Sequence, residues 1–313
     1  MEIRKLIFVL IAIIVLGALG FGSWYYFKDS GPKNAQKPEQ AVKVLEDKPP
    51  KFLFAINSET GHPFDRPMAA ISFNNKIYVS DPGKGKILVF DQNGKFEHYL
   101  KSEIKFKMPY GLAYDASDLY IADSGAGKIY VLNTKGNTNR EFKTKGVKLI
   151  TPAVLLLRSG ILYVSDLGLH QVLAFDRRGI LLLKYGKEGH SLGNLYFPHG
   201  LAVTPQNTLY VADSGNNRIA CYTSFGKAQA FGSDNMISTP RGLATDWKGN
   251  IWAVAGMANK IQVYAPNGKM IFSFGDTGSD YGQLYLPNGI YIDQNKRIYV
   301  TEVGNKRVSV FGY

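Results

Sequence analysis

Residues 197–232 read FPHGLAVTPQNTLYVADSGNNRIACYTSFGKAQAFG. Short apolar runs alternate with turn residues, so the stretch predicts four strands: Leu201–Thr204, Thr208–Ala212, Arg218–Tyr222 and Lys227–Phe231. Pro205-Gln206-Asn207, Ser214-Gly215-Asn216-Asn217 and Phe225-Gly226 separate them. Gly and Asn tolerate the positive φ that tight hairpin turns demand.

Working outward, the same template recurs six times, opening at Pro67, Pro109, Pro152, Pro198, Pro240 and Pro287, with spacings of 42, 43, 46, 42 and 47 residues. Each copy runs from a Pro-x-Gly-Leu-like opening through a Tyr-Val-x-Asp-x-Gly-like loop to a second pair of strands. A four-stranded unit of ~40–45 residues repeated in this way is a propeller blade. The sixth copy ends at Tyr313 after its third strand, and its missing fourth strand is found upstream as Lys51–Ile56 (KFLFAI), which parallels Met270–Gly275. The expected fold is therefore all-β: a six-bladed propeller over residues 51–313, closed by strand 51–56 so that no sheet edge is left open.

Pro-x-Gly-Leu/Ile followed by Tyr-Val-Ala-Asp-Ser-Gly-Asn-Asn-Arg-Ile at 210–219 resembles the NHL repeat, and the likeness extends over residues 51–313. The resemblance implies a propeller that serves either as a binding module or as an enzyme, because fold does not fix function. Amidating lyases similar to NHL propellers hold zinc with three histidines near the channel. Here only His199 stands at a Pro-x-Gly opening, while His62, His98, His170 and His190 fall in loops or outer strands. Lactonase-like propellers hold calcium through several oxygens, and the openings offer only Asn288. Neither pattern is met, so no metal or other cofactor is expected. A metal-dependent lyase or lactonase-like hydrolase stands as the alternative to a non-catalytic module.

The chain begins with a different kind of sequence. Residues 6–27 carry no charge; as a helix they would span about 33 Å, enough for a ~30 Å hydrocarbon core. Trp24, Tyr25, Tyr26 and Phe27 end the run as an interfacial aromatic belt would, and Arg4 and Lys5 favour a cytoplasmic N-terminus. The reading is a short cytoplasmic tail (1–5), a signal anchor (6–27), a polar, proline-bearing linker (28–50) and an extracytoplasmic propeller. A cleaved signal peptide is the alternative, against which stand the length of the apolar run and the lack of a clean Ala-x-Ala site. The single cysteine, Cys221, excludes an intrachain disulfide framework.

Net charge is +12; residues 1–50 hold seven basic and five acidic residues, leaving +10 on the rest. That field favours anionic partners without naming one. Nucleic acid would suit the charge, but an exporting anchor argues against it.

Two sets of repeat residues are candidates for chemistry. Asp81, Asp123, Asp166, Asp213 and Glu302 recur in the loop after the second strand, each followed five residues later by Lys86, Lys128, Gln171, Arg218 or Arg307. The regular cation predicts a structural role, with the carboxylate accepting turn amides and pairing locally. The fifth blade has Ala255 there instead. The x of Pro-x-Gly varies while its neighbours repeat: Met68, Tyr110, Ala153, His199, Arg241 and Asn288. Strand alternation places these openings on the face of the Asp-x-Gly loops, around the channel mouth. Tyr110, His199, Arg241 and Asn288 would there suit a carboxylate, phosphate or sugar ligand. The expected function is a membrane-anchored, non-catalytic scaffold that receives a protein, anionic polymer or ligand on its loop face, with envelope complex assembly as the expected setting.

Overall fold

The computed structural model describes residues 48–57, 63–116, 118–133, 139–223, 228–232 and 237–313. The expected tail, anchor and linker up to residue 47, together with His62, lie outside the described residues. Among the described residues no helix is long and apolar enough to cross a membrane.

Six four-stranded antiparallel sheets are formed. The first strands of blades 1–6 are Ala69–Phe73, Pro109–Asp115, Pro152–Arg158, Pro198–Val203, Pro240–Thr245 and Pro287–Ile292. In blade 6 the outermost strand is Lys51–Ile56, paired antiparallel with Arg307–Gly312 from Lys51↔Gly312 to Ile56↔Val308. The ring closes as the repeat predicts. Arg307 begins its strand beside the loop of Glu302, so the antiparallel partner Lys51 lies at the opposite end of the sheet.

Between each pair of neighbouring blades lies one hydrophobic core. The second-strand aromatics Tyr78, Tyr120, Tyr163, Tyr210, Trp252 and Tyr299 are all buried in these cores. Several keep a polar tip satisfied: Trp252 Nε1 donates to Asp246 (3.0 Å) and Tyr299 Oη to Asp293 (3.0 Å).

The fourth blade's first strand starts at Pro198, three residues before the expected start. Pro198 pairs with Asp213 and Leu201 with Val211, so two residues, His199 and Gly200, face one on the partner strand. The same bulge occurs in blades 2, 3, 5 and 6 and is absent from blade 1. A bulge turns a side chain out of the regular alternation, and in blades 2, 4, 5 and 6 the bulged x residue lines the channel. The following glycine lets the inner strands meet. A Cβ on Gly200 would lie 2.3 Å from Arg241 O, and one on Gly289 2.5 Å from Met68 O.

Candidate functional site

The bulged first strands surround a central cavity of about 460 Å³. Met68, Tyr110, His199, Arg241 and Asn288 line it at the loop-face end. The four polar candidates are thus brought to one mouth; Ala153, the third blade's x residue, is fully buried.

The four form two contacts on the mouth. Arg241 Nη1 lies 2.6 Å from His199 Nε2. A guanidinium can only donate, so Nε2 must accept and the proton of the imidazole sits on Nδ1. That nitrogen lies 3.0 Å from both Phe197 O and Ser214 Oγ. Burial, followed by the Arg241 charge, holds the His199 pKa down at about 4. His199 is consequently a neutral prop for Arg241. Among the described residues Arg241 makes this one side-chain hydrogen bond and no ion pair.

In the second contact Tyr110 Oη, from blade 2, approaches Asn288 Oδ1 of blade 6 at 3.5 Å, a length at which little bond strength remains. Asn288 Nδ2 is fixed by Met68 O at 3.0 Å. Burial raises the Tyr110 pKa in spite of the nearby Arg241 and Arg66 charges. Its hydroxyl is therefore a neutral donor at any physiological pH.

Arg241 owes its place to blade 5's departure from the template. Ala255 and Gly256 replace the loop acid and its successor, and a Cβ on Gly256 would stand 3.0 Å from Arg241 Cγ. The arginine stem packs where another residue would have a side chain.

The loop acids sit elsewhere. Asp81, Asp123, Asp166, Asp213 and Glu302 are all fully buried. Asp81 accepts the amides of Asp65 (2.7 Å) and Arg66 (2.9 Å), Asp123 those of Lys107 and Met108 (both 2.8 Å), and Asp166 those of Ile150 (2.8 Å) and Thr151 (2.9 Å). The cation five residues on pairs with its acid in two blades, Asp213–Arg218 and Glu302–Arg307, both at 2.7 Å. Lys128 instead meets Glu141 at 2.7 Å, and Gln171 Nε2 bonds Gly186 O at 2.9 Å. Arg218 and Arg307 also bond three carbonyls each, fixing the loops that lead into blades 4 and 6.

A set of hydroxyls stitches the mouth together, and sequence reasoning passed over it. Ser80 Oγ donates to Tyr110 O (2.5 Å), Ser124 Oγ to Pro152 O (2.6 Å), Ser214 Oγ to Pro240 O, and Thr301 Oγ1 to Met68 O (2.9 Å). The signal was present: a hydroxyl stands either just before or just after the loop acid in every blade except the fifth. Among the described residues no group of three or more His, Cys, Asp or Glu side chains is placed to hold a metal ion.

The ring, its bulged inner strands and its channel define a six-bladed propeller with a ligand-sized axial cavity. The family model for the NHL repeat matches residues 195–222 and 284–311, within blades 4 and 6. The chain is similar to Protein brain tumor of Drosophila melanogaster, 30% identical over 135 residues that make up 41% of this chain and 12% of that protein. It is 24% identical over 175 residues to human NHL repeat-containing protein 3, covering 49% of each. The matches thus span about half or less of these relatives' length. Among solved structures, a gluconolactonase of Xanthomonas campestris superposes with a TM-score of 0.65 at 16% identity, over 85% of this chain and 95% of that one. At that identity the likeness speaks for the fold alone. The protein is a six-bladed β-propeller in which blades 4 and 6 match the NHL repeat.

Proposed function

We propose that the propeller is a non-catalytic receptor module that takes an anionic ligand, or an anionic group of a protein partner, at the loop-face mouth. The observation that carries this reading is the Arg241 guanidinium, lining the cavity mouth against a neutral imidazole with no carboxylate paired to it. Supporting it are the Tyr110 hydroxyl, the Arg66 charge close enough to act on that hydroxyl, and the +10 charge of residues 51–313. We place the module outside the cytoplasm, anchored through residues 6–27; strand Lys51–Ile56 begins at the end of its sheet opposite the mouth.

Thermal unfolding of the full-length chain against increasing acetate and phosphate tests the anion reading. A ligand that binds only the folded state raises the midpoint with its concentration. The midpoint is expected to rise for the wild type and to stay flat for Arg241→Gln; equal behaviour of the two proteins would remove the proposal. Resistance of the chain to alkaline extraction from membranes tests the anchor, and release into the soluble fraction would contradict it.

A further inference from the structure

The wall below the polar mouth is more apolar than polar. Leu112, Leu157, Val203, Leu243, Ile290 and Ile292 line it, one or more from each of blades 2 to 6. Leu157, Ile290 and Ile292 are only partly buried, although Leu112, Val203 and Leu243 are buried. The charged side chains of the lining stand at its two ends, with none between them. At the far end Asp115, Arg158 and Gln294 line it, with Asp115 already paired to Arg177 at 2.6 Å. Arg158 at that end is exposed to solvent, whereas Arg241 at the mouth is partly buried against His199 and has no acidic partner among the described residues, with the more apolar wall beneath it. The cavity volume of about 460 Å³ lies within the ~300–1,000 Å³ range of small-molecule sites.

We propose that the channel binds an amphipathic monocarboxylate, with the carboxylate on Arg241 and the Tyr110 hydroxyl and an apolar body along the leucine and isoleucine wall. The proposal rests on the anion reading above and narrows it to one ligand class. Each part has a physical reason. Arg241 has donors to spare after its bond to His199, and a guanidinium fork matches a carboxylate. Tyr110 is neutral and its contact with Asn288 is long, so turning its hydroxyl to a stronger acceptor costs little. The apolar body gains by leaving water, about fourfold in affinity per buried methylene. A single carboxylate matches the one guanidinium that lines the mouth.

Isothermal titration of the full-length chain in detergent, with blank micelles subtracted, uses three probes: octanoate, acetate and 1-octanol. Octanoate is expected to bind at one site per chain, at least about 100-fold tighter than acetate and clearly tighter than 1-octanol. Arg241→Gln should weaken octanoate by about tenfold or more and leave 1-octanol unchanged. Leu157→Gln, at a partly uncovered wall position, should weaken octanoate and leave acetate unchanged. Octanoate and acetate binding equally, both through Arg241, would overturn the amphipathic ligand and retain the anion reading. Binding of neither, with the Arg241 and wild-type chains alike, would overturn both. Octanoate binding that ignores Arg241 would show micelle-like partition and also reject the site.

Discussion

Blades 1–3 and blades 4–6 solve the same loop in two ways. In the first three, the buried acid accepts both amides ahead of the proline, at 65/66, 107/108 and 150/151. In blades 4 and 6 it accepts only the first, from Tyr196 or Tyr285, and blade 5 has no acid. The second amide in these three blades goes to a side chain of the preceding blade: Phe197 N to His170, Thr239 N to Asn217, Leu286 N to Asn259. The residue before the proline then turns left-handed, with φ of 51°, 46° and 47° at Phe197, Thr239 and Leu286. That conformation is costly for a non-glycine residue, and more so before proline.

What the second half gains is display. Phe197 and Leu286 turn to solvent, 43% and 41% exposed. The polar x residues His199, Arg241 and Asn288 fall in the same three blades, whereas blades 1–3 offer Met68, Tyr110 and Ala153. Strain of this kind tends to persist where function holds it in place. Blades 4–6 present three of the four polar mouth groups, and blades 1–3 contribute only Tyr110.

The sharpest way to break the comparison is at the buried arginines. Arg307→Met strips Glu302 of its buried partner and frees three loop carbonyls, and should cost about 3–5 kcal/mol in urea unfolding. Lys128→Met in blade 2, whose side chain faces solvent beside Glu141, should leave the midpoint where it is. Similar losses from both would mean that the two halves do not differ.

Next comes acid sensitivity. His199 has a folded pKa of about 4 against an ordinary 6.5, so the unfolded chain binds its proton first as pH falls. Its contribution is complete above about pH 6.5 and is lost as pH falls toward 4, on the order of 2–4 kcal/mol. Blades 1–3 have no titrating x residue in this range. His199→Gln should flatten the stability profile between pH 6.5 and 4, and an unchanged slope would show that another group carries it.

Smaller effects belong to the latches. Asn259→Ala removes both the acceptor for Leu286 N and a residue that tolerates its own φ of 52°, so about 1–2 kcal/mol of stability should go. Leu286→Gly relieves the left-handed strain and should be neutral or stabilising by less than about 1 kcal/mol. The same change at Thr151, which is not left-handed, should destabilise by about 0.5–1 kcal/mol through chain entropy.

The ring, its closing strand and the meeting of Tyr110, His199, Arg241 and Asn288 were legible because each rests on a repeated pattern. The bulge was not, since alternation beginning at Leu201 conceals an extra residue at His199-Gly200. Nor were the left-handed turns, because Phe197, Thr239 and Leu286 carry no local preference for them; their latches come from the preceding blade. The expectation that every loop acid pairs with a cation five residues on overreached. An arginine fork reaches both the carboxylate and the loop carbonyls, whereas Lys86 and Lys128 remain at the surface.

The most direct test follows the His199 imidazole by NMR as pH is lowered, with and without saturating octanoate. A carboxylate on Arg241 cancels the charge that helps hold the ring neutral, so the His199 pKa should rise from about 4 when the ligand is bound. A pKa unmoved by octanoate, in a protein where Arg241→Gln does raise it, would place the anion elsewhere and contradict the account.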